Sequence, residues 1–350
     1  MRLFSFKSLV CLTFLFSLCV IALGAYTRLT EAGLGCPDWP GCYGFAGVPQ
    51  AQSQLQQAEA AFPDHPVEPE KAWNEMVHRY FAGTLGLLIL AINVIAWRRR
   101  NTPRLLPALL LGTVIFQAVL GMWTVTMALM PVVVMGHLLG GFTTAALLLL
   151  LALRIHRREA SVTSSVRPSF APGGKWLSVL AAVALLVTVG QVALGGWTAA
   201  NYAAVVCTQL PVCEVDWVGQ FDATAFNLIQ PEHDSYQYGV LDYSQRVSIH
   251  VTHRLGAAVT TLVLLVLIWQ LLQSGMRRSG IAVGSVLLFQ LGLGITNVVA
   301  SLPLMVAVGH NLGGVLLLLT LVATNYHLYC RRTTVRSDWY VAHVAKAKEG

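Results

Sequence analysis

The sequence predicts an all-α polytopic membrane protein, with eight transmembrane helices arranged as two tandem, pseudo-symmetric four-helix bundles. Three observations predict it. Of the 350 residues, 55% are hydrophobic and only 11% charged, and the mean hydropathy is positive, a balance that suits lipid as solvent. Eight apolar runs are each about long enough to cross a bilayer, and the last four repeat the first four. A formal charge of +7 suggests nucleic acid in other settings. Here the basic residues stand in short clusters between apolar runs, where they orient helices, so membrane lipid is the expected surrounding and no nucleic-acid partner is expected.

Taken in order, the runs cover 8–26, 77–96, 105–123, 131–153, 176–197, 249–270, 281–299 and 304–327. The first follows Arg2 and Lys7 and ends near Ala22-Leu-Gly-Ala25, a pattern that also resembles a cleavable secretory signal. Against that stands the internal repeat, which needs this run as a retained span. A long loop follows, from Thr27 to Asn74. It contains Cys36 and Cys42, and its Gln/Ala-rich stretch from Gln50 to Ala61 predicts a short surface helix. The second run carries Glu75, His78 and Arg79 at its start and stops at Arg98-Arg99-Arg100. The third opens after Arg104, and the fourth carries His137 and gives way to Arg154, Arg157 and Arg158. Residues 154–175 are basic and rich in Ser, Pro and Gly, and read as a tether between the halves.

The fifth run starts after Lys175 and leads into a second long loop, Thr198 to Ser248, with Cys207 and Cys213. His250, His253 and Arg254 open the sixth run, Arg277 and Arg278 precede the seventh, and the eighth carries His310 before Arg331 and Arg332. All but five of the 23 lysines and arginines (Arg28, Lys71, Arg79, Arg246 and Arg254) lie at the termini or in even-numbered connections. The positive-inside rule therefore puts both termini in the cytoplasm. All but three of the 16 acidic residues (Glu159, Asp338 and Glu349) lie on the other side. No Arg- and Ser-rich presequence is present, which favours a bacterial plasma (inner) membrane over a mitochondrial one. The expected organisation is an N-terminal bundle over 1–153, the linker 154–175, a C-terminal bundle over 176–330 and a cytoplasmic tail over 331–350.

The duplication is visible residue by residue. Gly24, Thr27, Cys36 and Cys42 recur 171 positions on as Gly195, Thr198, Cys207 and Cys213. Phe116-Gln117 and Gly136-His137-Leu-Leu-Gly-Gly recur 173 positions on as Phe289-Gln290 and Gly309-His310-Asn-Leu-Gly-Gly. An even number of spans per half gives both copies one orientation, so their pseudo-two-fold axis runs along the membrane normal.

Four histidines carry the candidate chemistry: His78 and His137 in the first half, His253 and His310 in the second. Within a half they are 59 and 57 residues apart, on helices that run in the same direction, so two imidazoles can face each other across a bundle core. Such a pair can ligate one haem iron from both sides. Zinc or copper is the competing metal, since each half also has two cysteines, although these fall in loops. Isolated imidazoles bonded to neighbouring backbone would be the plain alternative. Gly83, Gly86, Gly136, Gly140, Gly141, Gly309, Gly313 and Gly314 leave room for a flat macrocycle, or serve close helix packing.

Arg79 and Arg254 each follow a histidine and can snorkel to the interface or pair with haem propionates. Cys36 with Cys42, and Cys207 with Cys213, face an oxidising compartment, and disulfides are expected, as staples or as exchangeable thiols. The halves differ three residues before the histidine, at Glu75 and His250. A carboxylate beside an iron site can move a proton or stabilise positive charge, which assigns chemistry to the first half. Otherwise Glu75 only caps a helix.

Tyr26-Thr-Arg-Leu-Thr, Gly33-Leu-Gly-Cys-Pro-Asp-Trp-Pro, Glu75-Met-Val-His-Arg, Gly136-His137-Leu-Leu-Gly-Gly, Thr252-His253-Arg254 and Gly309-His310-Asn-Leu-Gly-Gly together resemble the haem A synthase family across almost the whole chain. The resemblance implies an enzyme that oxidises a ring methyl of haem O, through an alcohol, to the formyl group of haem A. It implies His78 and His137 as ligands of the substrate haem, His253 and His310 as ligands of a haem b cofactor, and Glu75 as catalytic acid or base. It also implies association with haem O synthase and cytochrome oxidase assembly factors, while a homo-oligomer stays open. Two rivals from other classes stand beside it: a non-enzymatic bis-histidine dihaem electron-transfer cytochrome and a haem carrier.

Overall fold

The computed structural model describes residues 5–99, 104–163, 175–211 and 213–349. The described residues form nine α-helices: α1 (Phe6–Leu29), α2 (Gln52–Ala61), α3 (Pro69–Arg98), α4 (Leu105–Thr126), α5 (Pro131–Thr163), α6 (Lys175–Ala200), α7 (Tyr243–Gln273), α8 (Arg277–Val299) and α9 (Leu304–Glu349). A single 3-10 turn covers Ala223–Phe226, and no strand occurs among the described residues. All of the helices except the surface helix α2 contain a segment long and apolar enough to span a bilayer, which in α5 is Pro131–Glu159 and in α9 is Leu304–Arg331. These eight segments match the eight apolar runs, and α2 is the surface helix expected at Gln50 to Ala61.

Lipid, not water, explains the surface. Leu12, Leu15, Leu87, Leu186, Leu262 and Leu288 are all more than half exposed, as apolar side chains on the outside of spanning helices must be. Many hydroxyl groups on these helices bond their own backbone one turn back, as Thr13 does to the Leu9 carbonyl (2.8 Å) and Thr113 to that of Leu109 (2.8 Å), which satisfies them within hydrocarbon.

In the first half α1 packs on α3 and α5, α3 on α4, and α4 on α5; in the second half α6 packs on α7 and α9, α7 on α8, and α8 on α9. Each quartet thus closes a ring. Val10, Ile89, Ile92, Leu110, Leu148 and Leu151 fill the inner end of the first ring, and Leu264, Leu267, Leu271 and Leu321 that of the second. Between the rings, α5 meets α6 and α9, and α1 meets α9, with Phe142, Ala145, Val315 and Leu319 forming the seam.

The duplication reaches the backbone. Left-handed conformations at Glu31 (φ 57°), Ala128 (47°) and Leu129 (65°) recur at Tyr202 (53°), Ser301 (54°) and Leu302 (60°), the same 171 and 173 positions on. Few non-glycine residues adopt this region, so the recurrence marks two copies of one set of turns. The basic stretch expected as a linker from Arg154 is helical to Thr163, and its residues 164–174 lie outside those described.

Candidate functional site

Each histidine ring is seated against a glycine of a neighbouring helix. The Cβ that an alanine would carry at Gly24 on α1 would lie 2.9 Å from Cε1 of His78 on α3. The same construction puts Gly121 of α4 at 3.3 Å from His137, Gly195 of α6 at 3.2 Å from His253, and Gly294 of α8 at 3.1 Å from His310. Any side chain at these four places would push the ring aside. The two rings of each half, His78 on α3 with His137 on α5 and His253 on α7 with His310 on α9, stand on opposite helices of their ring of four. Nδ1 of His78, His137 and His310 is buried without a hydrogen-bond partner, and a buried polar atom left open calls for an explanation.

Glutamines border the rings. Gln117 fits into the notch at Gly140, and Gln290 into that at Gly313, since a Cβ at either glycine would overlap the amide. The carbonyls of Gln117 and Gln290 lie beside the rings of His137 and His310. Gly140 and Gly313 therefore serve close packing with an amide, while a Cβ at Gly83 or Gly86 would meet nothing within 4 Å.

Glu75 sits one turn before His78, only 4% exposed. Its carboxylate accepts a bond from the Cys36 backbone N–H (2.9 Å) and pairs with the Arg79 guanidinium. Arg79 also donates to the carbonyls of Asp38 (2.9 Å), Pro40 and Gly41. Cys36 and Cys42 form a disulfide in this loop, and with Tyr43, Ala72 and Met76 they make a small core above the helices. Burial, then the charges of Glu68, Glu75 and Asp38, pushes the Tyr43 hydroxyl above its ordinary range.

The second half repeats this plan without a carboxylate. His250 stands in the place of Glu75, with Nδ1 2.7 Å from the Ala203 carbonyl and Nε2 accepting from Arg254 Nε (2.8 Å). Arg254 further donates to the carbonyls of Gln209 (2.7 Å) and Cys207 (2.9 Å), beside the Cys207–Cys213 disulfide. Both arginines thus clamp a cysteine loop, and the propionate contacts expected of them compete with loop carbonyls for the same donors. With all four loop sulfurs in disulfides, none is a thiolate ligand for zinc or copper. What the site residues fit is a planar group held between paired imidazoles. Four glycine seats against the paired rings support that fit.

The cytochrome oxidase assembly protein family COX15-CtaA has a sequence model that matches residues 7–322. The chain belongs to the COX15-CtaA family. Among its relatives, a "Heme A synthase" of Shewanella oneidensis is 50% identical over 320 residues, covering 91% of this chain and 95% of its own. Another, from Caulobacter vibrioides, is 27% identical over 339 residues, covering 89% and 92%. A third, from Rhizorhabdus wittichii, is 26% identical over 330 residues, covering 88% and 90%.

Sequence reasoning singled out the histidines, Glu75 and both cysteine pairs of this COX15-CtaA chain. It paired Gly24 with Gly195 and Gln117 with Gln290 without a role for them, and it did not single out Gly121, Gly294 or Gln191. A usable signal existed for the glycines: Gly121 and Gly294 are separated by the same 173 positions as His137 and His310.

Proposed function

We infer that this chain is a haem A synthase, an oxidoreductase that converts haem O to haem A by oxidising a ring methyl to a formyl group. The observation that carries the reading is the buried Glu75 carboxylate, present in one half only, one turn before a histidine of a glycine-seated pair. His78 and His137 hold the substrate haem O in the N-terminal bundle, 1–153. His253 and His310 hold a haem b cofactor in the C-terminal bundle, 176–330, joined through 154–175 and followed by the tail 331–350. When bound, haem b supplies one-electron redox chemistry.

The protein's own contribution is to hold, orient and move a proton. The Gly24 and Gly121 seats fix the approach of α1 and α4 to the first pair of rings. Glu75, with its charge balanced by Arg79 and its geometry set by the Cys36 amide, serves as proton acceptor or donor. His250, already bonded on both ring nitrogens, has no such capacity, which leaves the second half to electron transfer. The lysine and arginine bias supports both termini in the cytoplasm, and a bacterial inner membrane is the location this reading assigns. Haem O synthase and cytochrome oxidase assembly factors are the partners that this activity calls for, and a homo-oligomer is compatible with it.

Expression in a host that makes haem O but no haem A, followed by haem extraction and mass analysis, tests the reading. The wild type is expected to yield formylated haem, and Glu75→Ala to retain haem but yield none. Two unmodified haems from the wild type would instead identify an electron-transfer cytochrome or a haem carrier. Replacing His253 or His310 is expected to lower haem b content, with an unchanged reduced spectrum counting against them as ligands.

A further inference from the structure

The two histidine pairs differ in a glutamine that no repeat partner matches. Gln191 of α6 reaches His253 twice: its Nε2 lies 3.0 Å from His253 Nδ1 and 2.9 Å from the His253 carbonyl. Gln191 is four residues before Gly195 and so on the same face of α6 as the seat for the ring. Gly256, one turn after His253, makes the room, since a Cβ there would overlap Gln191 Oε1. In the first half Gln191 becomes Val20, 171 positions earlier and buried on α1. By the 175 positions that separate His78 from His253, Gly256 becomes Phe81, whose ring stacks on Phe16 at 5.4 Å. The Nδ1 of His78 has no partner at all.

We propose that Gln191 is a positioning residue that locks the His253 ring and so makes the C-terminal haem a resident group, while the unlocked His78 lets the N-terminal haem exchange. The proposal rests on the reading of His253 and His310 as haem ligands. An amide carries both a donor and an acceptor: Nε2 can donate to an unprotonated Nδ1, and the amide turned over presents Oε1, which has no other partner, to a protonated one. A hydrogen bond to the non-ligating nitrogen fixes the plane of a histidine ring and tunes its strength as a ligand. Valine can do neither. The difference fits the traffic of each site: a substrate must enter and its product leave at every turnover, whereas a cofactor gains nothing by leaving.

The test uses the full-length purified protein carrying both haems, mixed with excess apomyoglobin as haem acceptor. The loss of each haem is followed by absorbance and extraction. In the wild type the haem O or haem A fraction is expected to leave first, and equal or faster loss of haem b would overturn the proposal. Gln191→Val is expected to speed haem b loss roughly tenfold and to move the low-spin electron paramagnetic resonance signal of that haem, which reports ring orientation. A Gln191→Val protein with full haem b content, an unchanged loss rate and an unchanged signal would overturn it. If Gln191→Val does not accumulate, Gln191→Glu decides. It keeps an acceptor for Nδ1–H, so it is expected to retain haem b and lower its midpoint potential, and an unmoved potential would overturn the proposal. The ligand reading fails separately, by full haem b content in His253→Ala.

Discussion

Glu75 and Arg79 form the most consequential contact at the scale of single residues. Their side chains are 6% and 12% exposed, so removing one leaves the other charge, or its polar atoms, without a partner. Arg79→Ala is expected to cost roughly 3 kcal/mol and to loosen the Cys36–Cys42 loop, seen as a lower thermal midpoint and faster reduction of that disulfide. Gly24→Ala tests the ring seat. With its new methyl 2.9 Å from the His78 ring, it is expected to lower N-terminal haem occupancy while leaving haem b content and helicity intact, as read by extraction and circular dichroism. The histidines and Glu75 were legible in the sequence because ionisable groups in apolar runs stand out. Gln191 was not, because one amide among apolar residues shows no periodicity that separates a ligand clamp from an ordinary helix-packing group.

Helices and loops differed in how far composition revealed them. The spanning helices were legible as apolar runs, yet α3 begins at Pro69 and α7 at Tyr243, several residues before the runs at 77 and 249. Hydrophobicity marks only the part of a helix that meets lipid, so the polar turns above it went unseen. His78 is consequently more than two turns inside α3, and not at its outer end. The second cysteine loop has its own device. The Glu214 carboxyl is held down to about 2 by its own backbone N–H and by the amide and hydroxyl of Thr208, with the Gln209 amide adding to them. A carboxyl with a lowered folded pKa stabilises above its ordinary value near 4.5 and loses that contribution as pH falls towards 2. Glu214→Gln is therefore expected to speed phosphine reduction of Cys207–Cys213 at pH 6, with the ratio to wild type falling towards one near pH 2.

At the scale of the whole molecule, two rings of four helices share a seam and a pseudo-two-fold axis. The repeat was legible because both copies kept glycine, histidine and cysteine at fixed displacement. The contacts between copies were not, since each is made once and leaves no pattern. Arg28 of α1 is the clearest: it donates to the carbonyl of Ala199 (2.8 Å), its own counterpart 171 positions on, and lies 4.0 Å over the Tyr202 ring. Arg28→Ala is expected to cost about 1–2 kcal/mol. Phe142→Ala in the seam is expected to cost roughly 3 kcal/mol. Both are measurable as a lower midpoint for loss of the haem absorbance on heating. The second outer loop also crosses over the first half, where Gln237 bonds the Glu31 carbonyl (3.1 Å) and the Tyr236 N–H bonds that of Ala128 (2.9 Å). Loop bonding of this kind makes the halves a mated pair: a gene divided between Thr163 and Lys175, its two products made together, should yield fragments that co-purify, because each carries the socket for a plug that the other supplies.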